Sequence, residues 1–394
     1  MKKVVLAYSG GLDTSCAVQW LKDKRYEVIC FIADLGQEED FEKIEKRALS
    51  GGASKVYIKD LRKEFVQDFI FPALKANALY EGKYLLATAL GRPLIAKYLV
   101  EVAHKEKACA ISHGCTAKGN DQVRFEVTSR ILDPKLEIIA PLRIWEFKSR
   151  EEEIDYALKK KIPIDVTKKK LYSLDKNLWG VSIESGVLEN PWTEPPQDCY
   201  QWTNSPTEAP DKPEYLEIEF EKGVPVKLNG KIYGGLELIE KICALGGRHG
   251  IGRSDLIENR LVGIKSREIY EAPAGTILYL AHRELESLVL DRESAHYKEG
   301  IGLKYSELIY YGLWYSKLRI ALDKFIEETQ KNVSGAVRLK LYKGNCIIAG
   351  RKSAHSLYKE ELATYSKGDK FDRSLSEGFI RIFGMPFSRS SQRL

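Results

Sequence analysis

Several chemistries are missing from this chain of 394 residues. No G-x-x-x-x-G-K-[ST] occurs, so there is no lysine-tipped loop for γ-phosphate transfer, and kinase-like chemistry is not expected. No G-x-G-x-x-G follows a strand, which removes the dinucleotide fingerprint. The 7 cysteines are odd in number, scattered and never in a C-x-x-C pair, so they read as reduced, mostly buried thiols of a cytosolic protein. With 6 dispersed histidines and no H-E-x-x-H, no zinc site is indicated. No apolar run approaches membrane-spanning length, and the N-terminal one is too short for a signal core. A cytoplasmic protein without a membrane partner is therefore expected. Lys and Arg outnumber Asp and Glu by 62 to 56, but the two signs are interleaved throughout. The runs Lys159–Lys161 and Lys168–Lys170 flank a short Ile-Pro-Ile segment. They read as a solvated connector between domains rather than a nucleic-acid patch, and no nucleic-acid partner is expected.

What is present begins at once. Residues 4–15 read V-V-L-A-Y-S-G-G-L-D-T-S. Val4 to Tyr8 is a short apolar run of the kind that forms a buried parallel strand. Gly10 and Gly11 permit a tight turn, and Asp13, Thr14 and Ser15 suit the start of a helix running to about Lys24. Backbone N–H groups at such a turn form a nest that fits a phosphate.

Strand and helix signals then alternate to about residue 165. Strands are expected at Val28–Ala33, Lys55–Ile58, Cys109–His113 and Glu137–Pro141. Helices are expected around 40–49, 62–77, 85–107, 123–131 and 150–160. That alternation predicts an α/β fold with a doubly wound parallel sheet, binding its ligand at the carboxyl ends of the strands. Six prolines between Pro191 and Pro213, with Trp179, Trp192 and Trp202 nearby, mark an irregular connector expected to cover the site. Beyond it, a strand pair turning at Gly223 and Asn229-Gly230 leads to a helix ending at Gly246-Gly247. Long helices at 276–292 and 305–329 and two strands at 337–349 complete a second, α+β domain. The organisation expected is 1–165, 166–365 and a C-terminal arm, 366–394.

Two loops carry polar groups after strands. Ala33-Asp34-Leu35-Gly36-Gln37 follows the second strand and by itself reads as an ordinary strand-to-helix turn, with a backbone contact from Ala33 to an adenine edge as the alternative. Residues 112–126 read S-H-G-C-T-A-K-G-N-D-Q-V-R-F-E, nearly free of apolar residues and costly to order without a ligand. Asn120 and Asp121 suit an amine or amide, or cap the following helix, and Arg124 suits an anion or a carbonyl.

The first motif resembles the PP-loop of ATP pyrophosphatases, which adenylate a substrate oxygen and release pyrophosphate. Taken with SHGCTAKGNDQVRFE, LENP at 188–191, IENR at 257–260 and KSREIYEAPAGT at 265–276, the chain resembles the argininosuccinate synthase family over essentially its whole length. That resemblance implies ligation of citrulline to aspartate with ATP, through citrullyl-AMP, and Mg²⁺ to neutralise the phosphates. It places ATP on Ala7, Tyr8, Ser9, Gly10, Gly11, Leu12, Asp13, Thr14 and Ser15, with Ala33 and Gly114. It places aspartate on Thr116, Asn120 and Asp121, and citrulline on Tyr84, Asn120, Arg124, Ser173, Ser182, Glu258 and Tyr270. The catalytic set is then Asp13, Asn120, Asp121 and Arg124. Asp13 is left open between a Mg²⁺ contact and a helix cap, and no residue is assigned as a metal ligand. Two departures stand out: Ala117 where many members have glycine, and Ala87-Thr88-Ala89 where they have Gly-Thr-Ser.

Other PP-loop enzymes fit less well. Sulfur-transferring members need paired reactive cysteines, tRNA-modifying members need a concentrated basic face, and the intact loops argue against a non-catalytic nucleotide-binding module. Residues 371–387 place Phe371, Leu375, Phe379, Ile382 and Phe383 at near-helical spacing, an apolar stripe that has to pack somewhere. The resemblance implies a homotetramer whose C-terminal arms clasp neighbouring subunits.

Overall fold

The computed structural model describes residues 1–147, 149–163 and 172–390. The run Lys168–Lys170 and the expected boundary at 165/166 lie outside the described residues. Strands β1 (Lys2–Ala7), β2 (Tyr26–Asp34), β3 (Lys55–Asp60), β4 (Ala110–Ser112) and β5 (Glu137–Ile139) form one parallel sheet in the order β3-β2-β1-β4-β5. The order reverses between β1 and β4, which opens a crevice at their carboxyl ends. Alternation along the strands sorts the core. Val4, Leu6, Val28, Cys30 and Ile32 pack under helices Leu12–Asp23 and Phe41–Ser50. Val5, Ile29 and Phe31 pack under helix Ala87–Glu106 on the other face. The sheet is doubly wound because both of its faces are apolar.

The rest of the chain builds two antiparallel sheets from β6 (Ser173–Asn177), β7 (Gly180–Glu184), β8 (Glu214–Glu221), β9 (Val224–Leu228), β10 (Lys231–Ile232), β11 (Arg253–Asn259), β12 (Lys265–Glu271), β13 (Gly335–Tyr342) and β14 (Asn345–Lys352). Their orders are β11-β12-β7-β6 and β10-β9-β8-β13-β14. The Asn229-Gly230 turn is present, with φ +50° and +77°, the geometry a two-residue hairpin favours. A buried polar network ties the two halves: His282 meets Asn77 and Gln330 at 2.8 Å each, while Glu286 accepts from Asn77 and Gln330 at 2.6 Å and pairs with Lys298 at 2.9 Å.

Four sequence expectations are corrected. The helix at 62–77 contains a π-helical stretch, Phe65–Ile70, ahead of Pro72, whose missing N–H cannot make the regular bond one turn back. Gly246-Gly247 does not end its helix, which spans Gly235–Arg248. The pair instead permits contact: a Cβ on Gly246 would lie 2.8 Å from Ile277, and one on Gly247 2.3 Å from the Trp202 carbonyl. The single helix expected at 305–329 is two, Arg292–Tyr310 and Lys317–Gln330, separated at Gly312, which has φ +73°. Finally, the proline-rich connector does not cover the site. It packs on the opposite face of the β7–β12 pair, where Leu188 and Cys199 meet Val181, Ile183 and Ile269. There, the Glu271 carboxylate accepts from the N–H groups of Gln201, Trp202 and Thr203.

Helix Ser374–Ser390 carries the expected stripe and leaves it uncovered: Phe379 is 63%, Ile382 72% and Phe383 63% exposed.

Candidate active site

The nine residues 7–15 make a tight connection between β1 and its helix. Tyr8 N–H donates to the Phe31 carbonyl at 2.9 Å, extending β1 by one ladder bond. Gly10 turns the chain at φ +76°, and Gly11 is the N-cap without a side-chain hydrogen bond, so the helix's first-turn N–H groups stay available to a ligand. Two hydroxyl pairs brace the turn, Tyr8 with Ser15 at 2.9 Å and Ser9 with Thr14 at 3.2 Å. Gly114, just past β4, presses against Thr14; a Cβ there would lie 2.6 Å from Thr14 Cγ2. Ala33 lies beyond the last residue of β1, which pairs with Phe31, so its backbone groups face the crevice. Its carbonyl accepts from Gln37 Nε2 at 2.6 Å.

Asp13 sits in the first helical turn and caps nothing. Beside it, burial and the Asp13 carboxylate push Glu153 up to about 8. Glu153 Oε2 is buried with no hydrogen-bond partner, a lack that a proton shared with Asp13 would relieve.

The residues expected to contact the amino acids converge through sheet register. Opposite residues of antiparallel strands share a face. Pairing of Ser173 with Glu184, Asp175 with Ser182, Ser182 with Tyr270 and Glu258 with Ser266 puts all of these on one face. On that face, Glu258 accepts from Tyr270 at 2.6 Å and from Tyr310 at 2.7 Å. Tyr84 stacks on Tyr270 with ring centroids 4.1 Å apart, and its hydroxyl meets Thr88 Oγ1 at 2.6 Å. Asn120 donates to the Tyr310 hydroxyl at 2.6 Å and accepts from Leu261 N–H at 2.8 Å, so its amide is held from the second half of the chain and caps no helix.

Charges alternate along a neighbouring row, Asp175–Arg92–Asp121–Arg124. Arg92 bonds Asp175 and reaches Asp121 at 2.8 Å, and Arg124 reaches Asp121 at 2.8 Å. Burial opposes ionisation of Asp121, but the two guanidinium groups outweigh it and hold the carboxyl below the usual range. Asp121 is thus a link between two arginines, not an isolated acceptor for an ammonium. Deeper in the face, Arg260 bonds Glu184 at 2.6 Å and also bonds Glu268, which accepts from Ser182 at 3.1 Å. Burial, with Glu184 and Glu258 close by, pushes Glu268 up to about 9.

Thr116 is exposed in the turn that Gly119 N–H closes onto its carbonyl, and Ser173 is exposed on the edge strand. Neither is bonded into the cluster by a described contact. Ala117 is not among the residues with positive φ, so the departure from glycine carries no backbone strain. Ala89 is fully buried and donates its N–H to the Tyr84 hydroxyl at 3.3 Å; Thr88 supplies the adjacent hydroxyl. Sequence reading missed Tyr310, Arg92, Glu268 and Arg260. Tyr310 lay inside a stretch read as one amphipathic helix, and only the break after it gives it a place in the cluster. Arg260 and Glu268 stood inside quoted motifs without a role.

Residues 3–163 match the family model described as the arginosuccinate synthase N-terminal HUP domain, and residues 172–389 match the arginosuccinate synthase C-terminal domain. Argininosuccinate synthase of Caldanaerobacter subterraneus subsp. tengcongensis is 61% identical over 385 residues, 98% of this chain and 94% of that protein. The namesake from Desulfitobacterium hafniense is 59% identical over 387 residues, covering 98% and 96%. A solved 4-thiouridine synthetase–RNA complex with bound ATP is 17% identical with a TM-score of 0.30, covering 40% of each chain. With both family models matched in order and identity this high over nearly the full length, the chain belongs to the argininosuccinate synthase family.

Proposed function

We propose that this chain condenses L-citrulline with L-aspartate to L-argininosuccinate, releasing AMP and pyrophosphate, as a step of arginine biosynthesis. One observation carries the reading: a phosphate-accepting loop and a polar cluster of acid, amide, guanidinium and hydroxyl groups in a chain of this family. The ureido oxygen of citrulline is a poor leaving group and must be activated. It attacks the α-phosphorus of ATP, the bond to the β-phosphate oxygen breaks, and pyrophosphate leaves. The free α-amine of aspartate then attacks the ureido carbon, and AMP departs carrying the former ureido oxygen. No protein nucleophile is required, so catalysis rests on positioning and on fixed dipoles.

In this reading Ala7 to Ser15, Ala33 and Gly114 hold ATP. Thr116, Asn120 and Asp121 hold aspartate, and Tyr84, Asn120, Arg124, Ser173, Ser182, Glu258 and Tyr270 hold citrulline. Mg²⁺ fits the loop as a nucleotide-borne ion. Among the described residues no group of three or more His, Cys, Asp or Glu is arranged to hold a metal, and a phosphate-bound Mg²⁺ needs only one or two carboxylates. Asp13 is the candidate, with the Glu153 carboxyl beside it. When bound, the ion supplies charge neutralisation at the phosphates.

The division at 1–165, 166–365 and 366–394 belongs to the same reading, as do the cytoplasm and a homotetramer. Among the described residues no helix is long and apolar enough to cross a membrane. The uncovered stripe of the C-terminal helix supports an arm that packs on a neighbouring subunit. Deleting residues from Phe371 onward should lower the mass seen by light scattering; a truncated chain that stays tetrameric and equally stable would refute the arm.

The test of the reaction is product identity. Citrulline-dependent AMP and pyrophosphate should form from ATP, and oxygen-18 placed in the ureido group should appear in AMP. ADP and phosphate, or AMP without the label, would sink the α-phosphate route.

A further inference from the structure

Tyr310 occupies a position that neither amino-acid motif contains. It ends helix Arg292–Tyr310, and the chain turns away at Gly312, whose Cα side is pressed against Arg124 so closely that a Cβ would lie 2.6 Å from Arg124 Cα. The ring is fixed on several sides. It stacks on Tyr80 at 3.7 Å between centroids with planes 7° apart, and Arg124 lies over it at 4.7 Å. The backbone is fixed too, since its carbonyl accepts from Arg124 Nε at 2.9 Å. What remains is the hydroxyl, which accepts from Asn120 Nδ2 at 2.6 Å and donates to Glu258 Oε1 at 2.7 Å. A phenol has one proton and two lone pairs, so this geometry uses it as a one-way bridge.

We infer that Tyr310 is a positioning residue that holds Asn120 and Glu258 as one unit, setting the aspartate and citrulline half-sites at a fixed spacing. The inference rests on the reading of Asn120 and Glu258 as amino-acid contacts. Asn120 immediately precedes helix Asp121–Leu132 and Glu258 lies on β11, and the described contacts give them no direct bond to each other. The hydroxyl of Tyr310 joins them across 190 residues on one side and 52 on the other. Burial and the Glu258 carboxylate keep this hydroxyl protonated, which maintains the direction of the bridge. The second step of the proposed reaction needs the aspartate amine within reach of the activated ureido carbon, so the spacing of the two half-sites governs it directly.

The test is Tyr310→Phe, which keeps the ring, its stack on Tyr80 and the backbone bond to Arg124. KM for citrulline and KM for aspartate should both rise by about tenfold or more, the loss of a hydrogen bond to a charged group, while KM for ATP stays put. In a double-mutant cycle with Glu258→Gln, the effects on aspartate KM should be less than additive, because both changes cut the same bridge. Tyr305→Phe is the comparison on the same helix. It removes a hydroxyl that donates to Asp323 at 2.7 Å, and it should lower the melting temperature without moving either amino-acid KM. A Tyr310→Phe chain that only melts earlier, or that raises all three KM values alike, or only one amino-acid KM, would overturn the bridge while leaving the reaction intact. A wild-type chain with no citrulline-dependent pyrophosphate release would overturn the functional reading and this inference with it.

Discussion

The phosphate loop and the amino-acid cluster are built by opposite means. The loop is nine consecutive residues, braced by two hydroxyl pairs and offering mainly backbone N–H groups. The cluster gathers single side chains from helix Ala87–Glu106, helix Asp121–Leu132, strands β7, β11 and β12 and helix Arg292–Tyr310, bonded to one another across up to 190 positions. The ligands of the proposed reaction account for the difference. A phosphate is a diffuse anion that any correctly turned backbone can receive. Citrulline and aspartate present ammonium, carboxylate and ureido groups in fixed places, and only a varied set of side chains complements all of them.

Substitutions should therefore separate the two regions, and the largest effect is expected in the cluster. Asp121→Ala leaves Arg124, 4% exposed, without its carboxylate, and breaking a buried pair in this way costs on the order of 3–5 kcal/mol. The melting temperature should fall and aspartate KM should rise far more than ATP KM; an equal rise for all three substrates would erase the distinction. Glu258→Gln removes a charged acceptor from Tyr270 and Tyr310, a loss of about 1.5–3 kcal/mol, and should raise citrulline KM with ATP unaffected. Citrulline titrated into that variant with wild-type affinity would count against Glu258 as a contact.

The loop should respond in reverse. Gly114→Ala forces a methyl against Thr14, and overpacking of this kind costs about 1–3 kcal/mol. ATP KM should rise several-fold while both amino-acid KM values hold, and steady-state kinetics with each substrate varied in turn would show it. The smallest effect is a pH slope. Glu153 is raised from 4.5 to about 8, so the folded state keeps a proton that the unfolded state has lost between those values. The Glu153 contribution to stability should be fullest below about 4.5 and fall as pH rises toward 8. Glu153→Gln should flatten that decline in denaturant titrations. Asp121 has the opposite sign: its lowered value gives stability above 3.8 that is lost in acid. An unchanged slope in Glu153→Gln would remove Glu153 from the loop's electrostatics.

Local chemistry made some of this molecule legible from its residues. The strand, glycine turn and helix of residues 4–24 and the parallel alternation that follows depend on contacts within one βα unit, where apolar period and turn residues act directly. The Asn229-Gly230 hairpin is legible for the same reason. Gly246-Gly247 misled because a glycine pair serves close packing as well as helix ends, and only the approach of Ile277 and Trp202 distinguishes the two. The prolines of 191–213 marked an irregular segment, but which face of the β7–β12 pair it covers depends on the apolar side of those strands meeting Leu188 and Cys199. Glu258, Ser182 and Tyr270 became candidates only through resemblance, since one carboxylate or tyrosine in a strand carries no signal of its partners. Tyr310 had no signal at all. Its role arises where a helix stops and the chain turns against Arg124, a contact between residues 186 positions apart that no local pattern encodes.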